Sequence, residues 1–240
     1  PYFHFVCWKR NEWPQLPEPD PEEIKRVVEN FCKKKLGRKE SDADLTAVVK
    51  ADIELARLVV STDQQVNRLD VQIDEEVTTI IAKRQPAASD LRLMVSITKI
   101  ITDLERIGDT AKKVAAIIVS GDASQHSPLL TRLEAMGRHV SQMLHDVLDA
   151  FARLDVDAAL VVHREDAKVD LEYEGLFREM TTYMMEDPRS IPKVLEVVGA
   201  VRSLERIGDR CQNIAEYIVY MVKGKIIRHV HGEELEALLR

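Results

Sequence analysis

The hexapeptide Leu104-Glu105-Arg106-Ile107-Gly108-Asp109 recurs identically as Leu204-Glu205-Arg206-Ile207-Gly208-Asp209, and this repeat constrains the fold more tightly than any other feature. The apolar stripe around it is duplicated as well. Leu104, Ile107, Ala111, Val114 and Ile118 are answered by Leu204, Ile207, Cys211, Ile214 and Ile218. Steps of three and four residues are the period of a helix with one buried face. Earlier in each copy, Asp63-Gln64-Gln65-Val66-Asn67 corresponds to Asp166-Ala167-Lys168-Val169-Asp170. A chain that repeats two acidic helical segments in this way is expected to form two similar helical units.

The punctuation agrees. Gln85-Pro86, Gly121, Ser127-Pro128, Asp187-Pro188 and Gly224 interrupt otherwise helical stretches. Helices are predicted at about 42–57, 59–84, 89–120, 128–153, 155–185 and 190–224, with a short tail helix near 232–240. No alternating strand pattern is present, and nine glycines and nine prolines are few for 240 residues. The expected fold is therefore all-α: two tandem three-helix bundles related by internal duplication. The first covers 42–122, the second 123–225, and 226–240 forms a C-terminal tail. Residues 1–41 stand apart. They hold both tryptophans and five of the nine prolines, and read as an irregular segment with at most a short helix at 22–35.

A net charge of -7 argues against nucleic acid as a direct partner, because phosphate backbones need a basic face. The longest apolar runs, such as 114–119, are far too short to span a bilayer. No leader pattern is evident. The three cysteines, Cys7, Cys32 and Cys211, show neither pairing nor zinc spacing, which fits a reducing compartment, so a cytoplasmic location is expected. Cys211 lies on the core stripe and is expected to be buried.

In Glu-x-x-x-Asp the two carboxylates share one face of a helix. A like-charge pair costs an isolated helix a few tenths of a kcal/mol, and Gly108 and Gly208 each cost about 1 kcal/mol relative to alanine. Accepting both costs twice implies a compensating gain. Hairpin counting suggests what it is. Asn67 and Glu105 lie equally far from Pro86 in sequence, as do Asp63 and Asp109. About Pro188, Asp170 matches Glu205 and Asp166 matches Asp209 to within one residue. Equal distances from an antiparallel turn mean equal heights. Each repeat should thus gather four oxygen-bearing side chains: Asp63, Asn67, Glu105 and Asp109 in the first, Asp166, Asp170, Glu205 and Asp209 in the second. Such sites suit hard cations, Mg, Mn, Ca or iron. Asn67 replaces a carboxylate, so the first site should bind more weakly than the second. The competing reading is a solvated acidic face, with Arg106, Lys113 and Arg206 neutralising their neighbours.

Catalytic signatures are missing. There is no Glu-x-x-His pair of the di-iron kind, no glycine-rich phosphate loop and no Ser/His/Asp order. No catalytic residue is assigned, and the histidines His126, His139, His145 and His163 carry little information. Besides a binding or regulatory protein, the pattern admits a carboxylate-cluster metalloenzyme or a metal-free helical scaffold.

Residues 82–109, 137–159, 163–175 and 203–224 closely resemble the PhoU family of bacterial phosphate-signalling regulators, and the resemblance runs from about Ala43 to the C-terminus. It implies two three-helix bundles whose acidic motifs hold multinuclear metal clusters. That would give metal roles to Asp63, Asn67, Glu105, Asp109, Asp166, Asp170, Glu205 and Asp209, with Mg, Mn, Fe and Zn all admissible. It further implies a cytoplasmic homodimer that is not an enzyme. Its partners would be the ATPase subunit of a phosphate transporter and a sensor histidine kinase, and it would lie at the inner membrane only through them. The family represses the phosphate-starvation response when phosphate is plentiful. Residues 1–41 depart from the pattern, which begins with a long amphipathic helix; Gly37 and its basic flank interrupt any such helix here.

Overall fold

The computed structural model describes residues 71–83, 85, 86, 88–120, 128–228 and 230. Among them there is no strand, as the sequence implies. Residues 71–83 form the described part of helix α1. Then follow α2 (Ala88–Ser120), α3 (Pro128–Arg153), α4 (Val156–Glu186), a short 3-10 turn (Pro188–Ser190) and α5 (Ile191–Lys223). The helices expected at 42–57 and 232–240, and residues 1–41, lie outside the described residues.

The connections explain the boundaries. Only Leu154 and Asp155 separate α3 from α4. Leu154 takes a left-handed backbone conformation with φ 53°, and Asp155 then accepts a hydrogen bond from the Ala158 amide at 3.0 Å, capping α4. At the next turn the Asp187 side chain accepts from the Arg189 amide at 3.0 Å, while Ser190 Oγ donates to the Asp187 carbonyl at 2.7 Å. Pro188 opens the 3-10 turn and Pro192 sits in the first turn of α5, where a missing amide hydrogen costs nothing. Gly224, at φ 69°, ends α5 with its amide donating to the Tyr220 carbonyl.

Helix α5 is the hub, packing on α2, α3 and α4. Helices α3, α4 and α5 are the three helices of the second bundle. The two repeats meet through the helices that carry the duplicated hexapeptide, α2 and α5, which run antiparallel. Arg92 near the start of α2 lies against Gly224 at the end of α5, Lys99 sits 5.4 Å from the Tyr217 ring centroid, and Asp103 pairs with Arg210. One continuous apolar core results. Ile100, Leu104, Ile107 and Val114 from α2 join Val140 and Phe151 from α3, Val169 and Met180 from α4, and Leu204, Ile207, Ile214 and Ile218 from α5. Removing one such side chain to alanine costs about 2–5 kcal/mol.

Within the expected C-terminal tail, Ile227 is fully buried against Leu160 and Val219. Residues 225–228 therefore fold back as a strap over the start of α4 and the end of α5, because the left-handed turn at Gly224 reverses the chain onto an apolar surface. No helix among the described residues is long and apolar enough to cross a membrane.

Candidate metal centre

Antiparallel packing of α4 on α5 brings the second acidic set together. One carboxylate oxygen each from Asp166, Asp170 and Asp209 lie within 4.8 Å of one another. Asp166 is buried and forms the floor; Asp170 and Asp209 are exposed and form the rim. Glu205, half-buried one turn before Asp209, adds the fourth charge, and its carboxyl responds to both Asp209 and Asp170. Of the four residues that counting outward from Pro188 sets at one height, Asp166, Asp170 and Asp209 are brought together, with Glu205 close enough for its charge to act on them.

Gly208 makes the approach possible. A Cβ at this position would lie 3.0 Å from Asp166 Oδ1 and 3.3 Å from Val169 Cγ1. A side chain there would force the Asp166 carboxylate and the Val169 side chain to give way by a few tenths of an ångström at the height of the cluster. The glycine that weakens the helix in isolation thus eases the close packing.

The electrostatics are those of an acidic cluster only partly compensated by its cationic neighbours. Burial, then the carboxylates of Asp170 and Asp209, push the Asp166 carboxyl up to about 7, with His163 pulling the other way. Burial first and Asp209 and Asp170 next raise Glu205; burial and then Asp170 raise Asp209, against Arg210 and Arg206. Asp166 Oδ1 is buried without a hydrogen-bond partner. An orphaned buried oxygen costs about 1–3 kcal/mol, and two unit charges 4.8 Å apart repel by about 3 kcal/mol at an effective dielectric constant near 20. A cation would cancel both costs. The donor set consists of oxygens alone, which fits Mg, Mn, Ca or iron better than metals that prefer nitrogen or sulfur. Asp166, Asp170, Asp209 and Glu205 would hold it.

The first set is seen only in part. Glu105 and Asp109 lie half-buried on α2, while Asp63 and Asn67 fall outside the described residues. Cys211 is fully buried, as its place on the stripe implies, and burial first, then Asp166 and Asp103, push its thiol well up.

The sequence reading passed over two residues beside the cluster, His163 and Glu216. Both are buried, and His163 Nε2 lies 3.6 Å from Glu216 Oε1. The signal was present: Glu216 is the single charge in the run from Ile214 to Val222. Burial raises its carboxyl, but His163 and Arg228 outweigh that and hold it below the usual range. His139 likewise bridges α3 to α4, between Glu172 at 3.0 Å and Glu165 at 3.4 Å.

An all-helical protein built on a duplicated motif, with an acidic cluster set into one hairpin seam, is the class that this fold and site define. The chain belongs to the family described as PhoU domain, matched twice, over residues 43–118 and 133–218. It is 57% identical over 199 residues to the phosphate-specific transport system accessory protein PhoU of Escherichia coli (strain K12), covering 83% of this chain and 82% of that protein. The crystal structure of PhoU from Pseudomonas aeruginosa superposes with a TM-score of 0.75 at 44% identity, over 85% of this chain and 96% of the other. The phosphate transport system regulatory protein PhoU from Streptococcus pneumoniae gives a TM-score of 0.74 at 28% identity, with the same coverage.

Proposed function

We propose that the protein is a negative regulator of phosphate-starvation signalling, linking the ATPase subunit of a phosphate ABC transporter to a sensor histidine kinase through protein contacts. The observation that carries this reading is the 57% identity to an accessory protein of phosphate-specific transport. The described residues give the reading a physical form. They form long, rigid helices with a continuous core and an acidic cluster in a seam, a build suited to holding partners rather than to turnover. In this reading the protein is cytoplasmic, works as a homodimer and reaches the inner membrane only through its partners.

The same reading gives the carboxylate cluster a resident cation. The orphaned Asp166 oxygen and the close approach at Gly208 support it. When bound, the cation neutralises the four acids and staples α4 to α5. Asp63, Asn67, Glu105 and Asp109 form the corresponding set of the first repeat, weaker for lack of one carboxylate.

Three measurements test the proposal. Tagged full-length chain, recovered from phosphate-replete cells, should bring down the transporter ATPase and the sensor kinase; recovery of neither would sink the regulatory reading. Elemental analysis of the purified protein beside an Asp166→Asn/Asp209→Asn variant should show metal in the first and little in the second. Equal contents would remove the cation site. Saturable hydrolysis lost in Glu205→Gln would replace the regulator with a metalloenzyme.

A further inference from the structure

A line of polar groups runs through the contact between α4 and α5. From the cluster downward, Asp166 lies on Gly208, the Gln212 Nε2 donates to the His163 carbonyl at 3.4 Å, and the His163 ring faces Glu216. Residues 208, 212 and 216 are successive positions on one face of α5, and 166 and 163 are one turn apart on α4. The line continues into the strap: Arg228 Nε donates to the other Glu216 oxygen at 3.2 Å, and Arg228 also donates to the Tyr217 hydroxyl.

A buried His–Glu pair is a poor way to gain stability, because desolvation cancels most of the attraction. Its best-attested use is to fix register between helices whose apolar ridges would pack at more than one height. Register matters here more than elsewhere in the seam. Sliding α4 by one turn moves its side chains by about 5.4 Å, more than the 4.8 Å that spans the three carboxylate oxygens. It would also take Asp166 off Gly208, a position without a Cβ to crowd it.

We infer that His163 and Glu216 are positioning residues, a register lock that holds Asp166 and Asp170 level with Glu205 and Asp209. The inference rests on the cation reading of that cluster and deepens it. The pair touches no bound ion; it acts by setting the height of one helix against the other.

The test uses the full chain and separates register from stability. His163→Leu/Glu216→Met replaces the pair with apolar side chains, which should leave the melting temperature unchanged or raise it. Mn2+ affinity, read by calorimetry, should nevertheless fall at least tenfold, whereas His163→Gln, which keeps a donor toward Glu216, should bind within about twofold of the wild type. Register is read independently, without metal, from spin labels on the exposed positions 164 and 196, with Cys7 and Cys32 replaced by serine and Cys211 buried. The unmodified pair should give one narrow distance, and the apolar pair a second population displaced by about one turn. An unchanged distance distribution overturns the lock, whether or not Mn2+ binds. A displaced one with unchanged affinity overturns its link to the cluster. A wild-type chain that binds no Mn2+ overturns the cation reading alone, and the distances still decide the lock.

Discussion

Asp103 on α2 and Arg210 on α5 form an ion pair across the two repeats, and both stand where the duplicated motifs differ. Position 103 corresponds to Ser203 and position 210 to Thr110, while the six residues between are identical. The copies have thus diverged at the positions where one must bind the other. Asp103 is only 4% exposed, so the pair is anchored in the interior at one end and wetted at the other.

Breaking that pair from the exposed side should be costly. Arg210→Ala leaves a buried carboxylate without its partner, at about 3 kcal/mol, and should lower the melting temperature by roughly 6–12 °C. Asp103→Ser/Arg210→Thr, which gives each copy the residue of the other, should return to within about 1 kcal/mol of the wild type. Equal losses in the single and double variants, followed by thermal unfolding, would show that the pair contributes nothing as a pair.

Gly208 and Gly175 should answer differently to the same substitution. Alanine gains up to about 1 kcal/mol of helix propensity at either site. At Gly175 the new methyl meets only the end of the Arg132 side chain at 3.4 Å, which can move, so Gly175→Ala should be neutral or mildly stabilising. At Gly208 it meets Asp166 and Val169, and overpacking of this kind costs about 1–3 kcal/mol. Gly208→Ala should lose stability by urea titration and lose cation affinity more steeply. Parity of the two variants would remove the close-approach argument.

The helices themselves were legible because prolines, glycines and acidic caps mark their ends; α3 begins and ends at the residues expected from the sequence. The level of Asp166 with Asp209 was legible because residues equally far from an antiparallel turn lie at similar heights. The Asp103–Arg210 contact was not, because partners 107 residues apart leave no periodic trace. Nor was the strap, which is held by buried Ile227 and by Arg228 on Glu216. His163 was read as uninformative because a histidine's role depends on the residue opposite, which sequence spacing along one helix does not reveal.

Leu154 is a place where the fold stores strain. Its backbone lies at φ 53°, a region that costs a side-chain-bearing residue about 1–2 kcal/mol, and its side chain is 44% exposed. Leu154→Gly relieves the backbone and gives up little burial. It should raise stability by up to about 1 kcal/mol, read as a higher urea midpoint at unchanged slope. A lower midpoint would mean that Leu154 packing outweighs its strain.

The carboxylate cluster predicts how metal-free stability follows pH. The Asp166 carboxyl titrates near 7 in the folded chain and near 4 when unfolded, so between those values the folded state binds the additional proton. The unfolded state holds fewer protons there, and stability must fall as pH rises through the window, by roughly 4 kcal/mol for a shift of this size. Glu205 and Asp209, raised for the same causes, act in the same direction. Urea midpoints in chelator should therefore be higher at pH 5 than at pH 8. Asp166→Asn should flatten the curve by removing the largest contributor. Saturating Mn2+ should also flatten it, by stabilising the ionised cluster most where the protein alone is weakest. Stability that instead rises from pH 5 to 8 in chelator would show that the cluster is not held close enough to repel itself, and the case for a cation there would go with it.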